Sequence, residues 1–554
     1  MTTMPALLLA ALALAGCGGG GGDDSPHVNL SGRVSYDSVP AVAAGADADG
    51  TLGGKLDYAH TSIKPARGVQ VEAVADDGTV LANTQTDAAG GYALTVPAHT
   101  TIRLRAKARL LQAAGSGASW DFSIRDNTSD GYRTSAAGAA LYAVQGMPFD
   151  SGDTRQTQDL HAASGWGGNG YTSPRAAAPF AILDQIYAAK LKVLAVDDKA
   201  VFAPMIAYWS PANRAGNSDD PASGNIRTSH WRAGGARPGL YFLGVENLDT
   251  DEYDSSVILH EWSHYFESTF SRSDNPSGPH EANDLLDMRL AFSEAWGNAL
   301  AGMVRDDPLY VDTAGAQQSE LGIVFNLDQI AAGEPLGWFN ESSVQHVLYQ
   351  LFKTPAIGFG SIYRVMVDQQ KNTEALTSLF SFATYLRANA AATAQRDIDS
   401  LLGGIDTING AALDIWGTSQ RYAPSLGAGD PAFVLPLYTP LAIGQPARIC
   451  RTNAFNDHDP ALGTDNNKLG NVRYLRISIA QGQGGAYQLT VASNAASSAL
   501  TIAVYRLGKI VAVQRSAPTA AVLPLNLTAG DYVATVTDTD ASALQACFTV
   551  TLDR

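Results

Sequence analysis

The segment Ser255–Arg272, SSVILHEWSHYFESTFSR, limits most what this chain can fold into. Within it lies His260-Glu261-Trp262-Ser263-His264, an H-E-x-x-H. An α-helix turns about 100° per residue, so His260 and His264 share a face, roughly 6 Å apart along the axis. Two imidazoles so placed reach one metal ion, while Glu261 reaches a water instead of the metal. A helix is what the neighbours favour. Val257, Ile258, Trp262, Tyr265 and Phe266 recur at helical spacing, and Leu259 widens the apolar stripe. Asp254 and Ser255 offer N-cap side chains.

Zinc held this way needs a third protein ligand, and a catalytic site keeps a fourth position for water. Leu285–Val304 reads as a second helix with Leu286, Leu290, Ala291, Ala295, Ala299, Leu300 and Met303 on its apolar face. Glu294 is a carboxylate in the middle of this stretch, and a buried carboxylate is costly unless paired or metal-bound. Asn298 shares its face and can orient a ligand histidine. Gly297, Ala301 and Gly302 let another helix approach closely. Other ligands compete on spacing alone. Glu267 follows His264 by one turn, but its side chain must point back along the helix. His280 and Asp287 lie in and just after the polar loop 271–284. The metzincin pattern wants Gly three residues after the second His and a ligand six after it. Here those positions are Glu267 and Phe270.

The pair HEWSH and SEAWGN resembles the gluzincin branch of the zincin metallopeptidases, over about Gly239–Val304. The resemblance implies one Zn²⁺ per chain on His260, His264 and Glu294, with Glu261 as general base. It also implies an α+β catalytic domain, with a mixed β-sheet N-lobe, one strand of which edges the cleft, and a helical C-lobe. Ala203–Trp209 and Leu240–Val245 are the strands that offer themselves, and each reads equally well as a core strand. The thermolysin pattern carries Asp four residues after the ligand Glu; here Asn298 stands there, an acceptor without charge. The pattern also supplies a His or Tyr to the developing oxyanion. His346, Tyr310 and Tyr363 are available, none inside a motif, and His280 is a further choice, so the donor stays unassigned.

At 554 residues the chain is too long for a single core. The expected fold class is multidomain, a zincin domain flanked by two all-β sandwiches. Residues 28–110 alternate like strands between turn signals at Asp76-Asp77-Gly78 and Ala89-Gly90-Gly91. KPARGVQVEAVADDGTVLANTQTDAAGGYALTVP there resembles the carboxypeptidase-regulatory-like sandwich, which implies that Asp87 caps a turn and Tyr92 packs between sheets. Residues 111–174 read as irregular strands, and 175–430 as the metallopeptidase domain. Its helices are expected at Pro179–Val193, Ser342–Lys353, Ser361–Gln369, Glu374–Ala391 and Ala394–Leu402. A proline-marked linker, 431–445, leads to a second β-module, 446–554. Its G-D-Y-V strand at Gly530–Val533 resembles the prepeptidase C-terminal domain. The loop Asn456–Asn467, NDHDPALGTDNN, is oxygen-rich enough for Ca²⁺ but lacks EF-hand spacing, so a solvated loop is the first reading.

Residues 1–17 resemble a bacterial lipoprotein signal, with an apolar run from Pro5 to Ala15 and Leu14-Ala15-Gly16-Cys17 as lipobox. That implies acylation of Cys17, a flexible glycine tether over 18–27, and residence in the cell envelope. The run is too short to span a bilayer. An exported protein meets oxidising conditions, and with Cys17 lipidated the remaining Cys450 and Cys547 are expected to pair. A net charge of −17 without a basic stripe argues against nucleic acid. No G-x-S-x-G and no G-x-x-x-x-G-K-[ST] occurs. The leading expectation is a lipid-anchored zinc metallopeptidase acting on proteins or peptides. An endopeptidase is favoured over an aminopeptidase, because no acidic N-terminus-anchoring motif precedes the helix. The competing expectation is a surface adhesin or binding lipoprotein with an inactive zincin core.

Overall fold

The computed structural model describes residues 26–46, 52–281, 283–319, 322–405, 410–424, 431–456, 467–493, 499–517, 520–538 and 544–554. Cys17, the signal segment and most of the tether lie outside the described residues, as does most of the Asn456–Asn467 loop considered for Ca²⁺.

The first strand, His27–Ser38, alternates so that Val28, Leu30, Val34 and Tyr36 face inward. It pairs antiparallel with Gly91–Pro97 and Ser62–Pro65, and parallel with Gln156–Thr157 and Leu160–Ala162, in a five-stranded sheet. A ten-stranded sheet lies beyond it. Its main path runs His230–Arg232, Gly239–Phe242, Met205–Trp209, Trp120–Asp126, Thr101–Gln112, Val69–Ala75, Val80–Gln85. This sheet crosses residues 110 and 174 without a break. Thr101–Gln112 pairs antiparallel with Trp120–Asp126, which pairs parallel with Met205–Trp209. The stretch read as irregular therefore supplies a central strand, with Phe122 and Ile124 fully buried. Asp87 accepts backbone N–H bonds from Ala89 and Gly91, and Tyr92 is buried with its hydroxyl on the Gln158 carbonyl.

Two expectations about the sheet need correction. The strand read as Leu240–Val245 is broken at Leu243 into Gly239–Phe242 and Gly244–Val245. Neither Gly239–Phe242 nor Met205–Trp209 edges the sheet. Each is paired on both sides, and His230–Arg232 takes the edge.

The helices run Ala178–Leu194, Ser255–Thr269, Met288–Arg305, Glu341–Lys353, Gly358–Arg364, Leu379–Asn389 and Ala392–Gly404, with Val365–Gln370 continuing as a π-helix. Leu379–Asn389 starts later than Glu374 because Ser378 caps it, its side chain accepting from Ser381 N. Asp254 does occupy the N-cap of Ser255–Thr269, but its carboxylate makes no cap bond and accepts instead from Thr313 N and Oγ1. Asp287 is the working cap of Met288–Arg305, accepting from Arg289 N.

The C-terminal module is two packed sheets, five strands (Tyr438–Pro440, Val472–Ile479, Gly530–Asp538, Leu500–Arg506, Lys509–Ala517) over four (Ala447–Thr452, Gln545–Asp553, Gly485–Ser493, Ala520–Leu527). Leu475, Ile477, Leu489, Val504 and Phe548 fill the space between them. Cys450 and Cys547 sit directly opposite across the Ala447–Thr452 and Gln545–Asp553 pair and form a disulfide. The module also packs on the helical part, since Tyr474 and Leu469 belong to the main core. Among the described residues no helix is long and apolar enough to cross a membrane.

Candidate metal centre

Ser255–Thr269 is held by an inner face of Ile258, Leu259, Trp262, Tyr265 and Phe266, all sealed from solvent. Burying residues of this size stabilises each by about 1.5–3 kcal/mol, so the face fixes the helix rotation. That rotation turns His260 and His264 toward Met288–Arg305. Gly297 makes the approach possible, because a Cβ there would stand 2.6 Å from Nδ1 of His260. The His260 ring lies against bare backbone of the second helix.

Three atoms then converge. His260 Nε2 is 3.1 Å from His264 Nε2 and 3.2 Å from Glu294 Oε2. His264 Nε2 is 3.4 Å from the same Oε2. His260, His264 and Glu294 thus form a group that can hold a metal ion.

The surrounding bonds set the ring tautomers. Asn298 Nδ2 donates to Glu341 Oε1 and Gln345 Oε1, both at 2.6 Å, so its Oδ1 faces His260 Nδ1 at 2.7 Å and must accept. His260 therefore carries its proton on Nδ1 and presents a lone pair at Nε2. Behind His264, Nδ1 faces Glu267 Oε2 at 3.6 Å and Ser293 Oγ at 3.5 Å, while Ser293 donates to Glu267. Glu267, weighed above as a ligand, stands behind the ring and orients it. Asp287, another competitor, points to Arg289 and Tyr474. Burial opposes ionisation of Glu294, but the His264 and His260 rings outweigh it and hold its carboxyl well below the usual carboxylate range. Burial likewise opposes a charged His264, yet Glu294 and Glu267 outweigh it and raise its pKa.

Glu261 is buried and, among the described residues, has no hydrogen-bond partner. Of the residues weighed as oxyanion donor, two are turned away. His346 Nδ1 is bonded to the Leu327 carbonyl, and Tyr363 donates to Asp197. Tyr310 is beside the centre, its ring 6.4 Å from that of His260 and stacked on Phe325. Burial, then Asp312 and Glu261, push its phenol pKa well up. His280 Nε2 lies 3.6 Å from both Glu294 Oε2 and Glu341 Oε2.

Sequence reading missed a second acidic group. Asp249, Asp251 and Asp312 bring carboxylate atoms within 4.8 Å of one another and can also hold a metal ion. Burial and then mutual repulsion raise Asp249 to about 7 and Asp312 to about 8. The acidic run Asp249–Asp254 was the available signal, but Asp312 joins it only through the fold.

No family model matches the chain, and no curated protein matches it. Among solved structures, the pre-peptidase C-terminal domain of a collagenase from Bacillus anthracis is similar over 24% of this chain and 99% of its own length, at 8% identity and TM-score 0.16. A 9R-lipoxygenase from Cyanothece PCC8801 matches 30% of this chain and 24% of its own, at 11% identity and TM-score 0.12. An arabinose-bound α-L-arabinofuranosidase matches 24% of this chain and 25% of its own, at 17% identity and TM-score 0.11.

Proposed function

We propose that this chain is a zinc-dependent metallopeptidase, held at the cell envelope through Cys17, that hydrolyses peptide bonds of protein or peptide substrates. The observation that carries the reading is the triangle of donor atoms. Bonds of about 2.0–2.1 Å to a tetrahedral zinc space its ligand atoms about 3.3 Å apart. The three edges here are 3.1, 3.2 and 3.4 Å. The donor chemistry fits too: two imidazole nitrogens and one carboxylate oxygen, the His₂Glu set of catalytic zinc sites.

Zinc, when bound, supplies the Lewis acidity that brings the pKa of an attacking water toward neutrality. Glu261, next to the first ligand and with no hydrogen bond to its carboxylate among the described residues, accepts the proton of that water and delivers it to the leaving amine. Asn298 keeps His260 in the Nδ1–H form, and Glu267 with Ser293 steadies His264. Tyr310, protonated at neutral pH, is the donor for the oxyanion that develops on the scissile carbonyl. Tyr310→Phe is expected to lower kcat by about 10²-fold with KM and zinc content little changed. Single-turnover rates on a peptide would check this, and an unaltered kcat removes Tyr310 from the role.

The reading is tested by metal analysis of the purified protein together with casein cleavage. One zinc per chain is expected, with cleavage that stops on chelation and returns with zinc. Cleavage indifferent to chelator, or no zinc, ends the proposal. Zinc without turnover points to the envelope binding protein with an inactive core.

A further inference from the structure

Glu294 is reached by more than the two histidines. Asn275 Nδ2 donates to its Oε1 at 2.9 Å, which leaves Oε2 to face both imidazoles. Asn275 is itself fixed at its other end, its Oδ1 accepting from Ser277 N at 2.6 Å. Asn275 and His280 both come from the connection between the two motif helices, and residues 272–281 of it form no helix or strand. Backbone carbonyls in such a segment need partners from elsewhere.

Those partners come from the C-terminal module, just before its strand Val472–Ile479. Asn467 Nδ2 donates to the carbonyls of Ser277 and Pro279, at 3.2 and 3.0 Å. Lys468 Nζ donates to Pro279 O at 3.2 Å and pairs with Asp284. Leu469 N bonds Leu285 O, and Asp287 N bonds Asn467 O, each at 2.7 Å. Asn467 and Lys468 are each 2% exposed, and a buried ammonium is tolerated only with partners such as these. Gly278, at φ +108°, lies so close that a Cβ would stand 2.9 Å from Asn467 Nδ2. A few residues on, Tyr474 of the strand Val472–Ile479 donates to Asp287, the cap of the Glu294 helix.

We infer that the C-terminal β-module is a working part of the metal centre: Asn467 and Lys468 clamp Ser277, Pro279 and Asp284 so that Asn275 holds Oε1 of Glu294 and leaves Oε2 turned toward His260 and His264. This rests on Glu294 being a zinc ligand, as proposed above. Asn275 is a positioning residue, and Asn467 and Lys468 act through it. A free glutamate end rotates broadly. Pinning Oε1 removes that freedom before the ion arrives.

The test uses the full chain, with zinc affinity read by competition against a chromophoric chelator. Outer partners of metal ligands typically contribute 10–100-fold in affinity. Asn275→Ala and Asn467→Ala are each expected to weaken zinc binding about tenfold or more. Because the second acts through the first, the double variant should be no weaker than Asn275→Ala alone. Hydrogen exchange at Glu281 and Asp284 should rise in Asn467→Ala and stay near the parent in Asn275→Ala, where only the Ser277 amide loses its partner. Arg476→Ala, which breaks the Arg476–Asp531 pair elsewhere in the module, should leave affinity unchanged. Parent-like affinity in both single variants, or strictly additive losses in the double, overturns the clamp while leaving the zinc site intact. If Asn467→Ala fails to fold, Lys468→Gln takes its place: weakened zinc affinity with raised exchange at Glu281 and Asp284 upholds the clamp, and parent-like affinity overturns it. A parent chain that binds no zinc overturns the functional reading itself, and the clamp with it.

Discussion

Glu261→Gln is expected to keep one zinc per chain and to lose peptide hydrolysis by about 10²–10⁴-fold, the range a positioned general base supplies. The side chain fits this test well. It is buried beside His260, yet it is no member of the converging triangle and has no hydrogen bond to lose among the described residues. Glutamine has the same shape, so the helix and the imidazoles should stay where they are. What changes is the ability to take a proton. The measurement is single-turnover cleavage of a peptide alongside metal analysis. Turnover at the parent's rate would sink the mechanism, and loss of zinc would place Glu261 among the ligands instead.

Glu294→Ala has the other large effect. It removes one of three protein donors, and with it the carboxylate on which both Nε2 atoms converge. Zinc affinity is expected to fall by more than the roughly 10–100-fold of an outer-shell change, and turnover should disappear with the metal. The buried helix around it, from Leu290 to Met303, is held by apolar contacts that alanine does not disturb. Far-ultraviolet circular dichroism should therefore match the parent. Full zinc retention in this variant would mean that the third ligand is elsewhere.

The shared faces of His260 with His264 and of Glu294 with Asn298 were legible because they ride on helices, where a spacing of four translates directly into a shared face. Tyr310 could be named but not chosen over His346, Tyr363 and His280, because it sits on Leu309–Asp312, a four-residue strand with no motif around it. Only the pairing with Ile323–Asn326 and the packing against Phe325 bring it to the centre. Asn275 and His280 lie in a segment without period, so nothing in the sequence orders them. Glu267 was visible but its direction was not: the same turn of helix that shows His264 to Glu294 shows Glu267 to the back of the ring. The N-terminal strands were legible one by one, yet alternation says nothing of partners far along the chain. That Thr101–Gln112 continues into Trp120–Asp126 and then into Met205–Trp209 is a long-range fact. Lys509–Ala517 escaped notice because it is an outer strand with exposed Ile510, Val511 and Val513, which blurs the inside–outside pattern.

Gly297 gives a way to sort other chains that share these two helices. With a Cβ here standing 2.6 Å from the His260 ring, the position tolerates hydrogen and nothing larger unless the ring leaves. A chain bearing alanine or serine there would have to seat its first histidine differently, even with every ligand residue spelled out. Reading that one position would separate scaffolds able to close around an ion from those that carry only the letters.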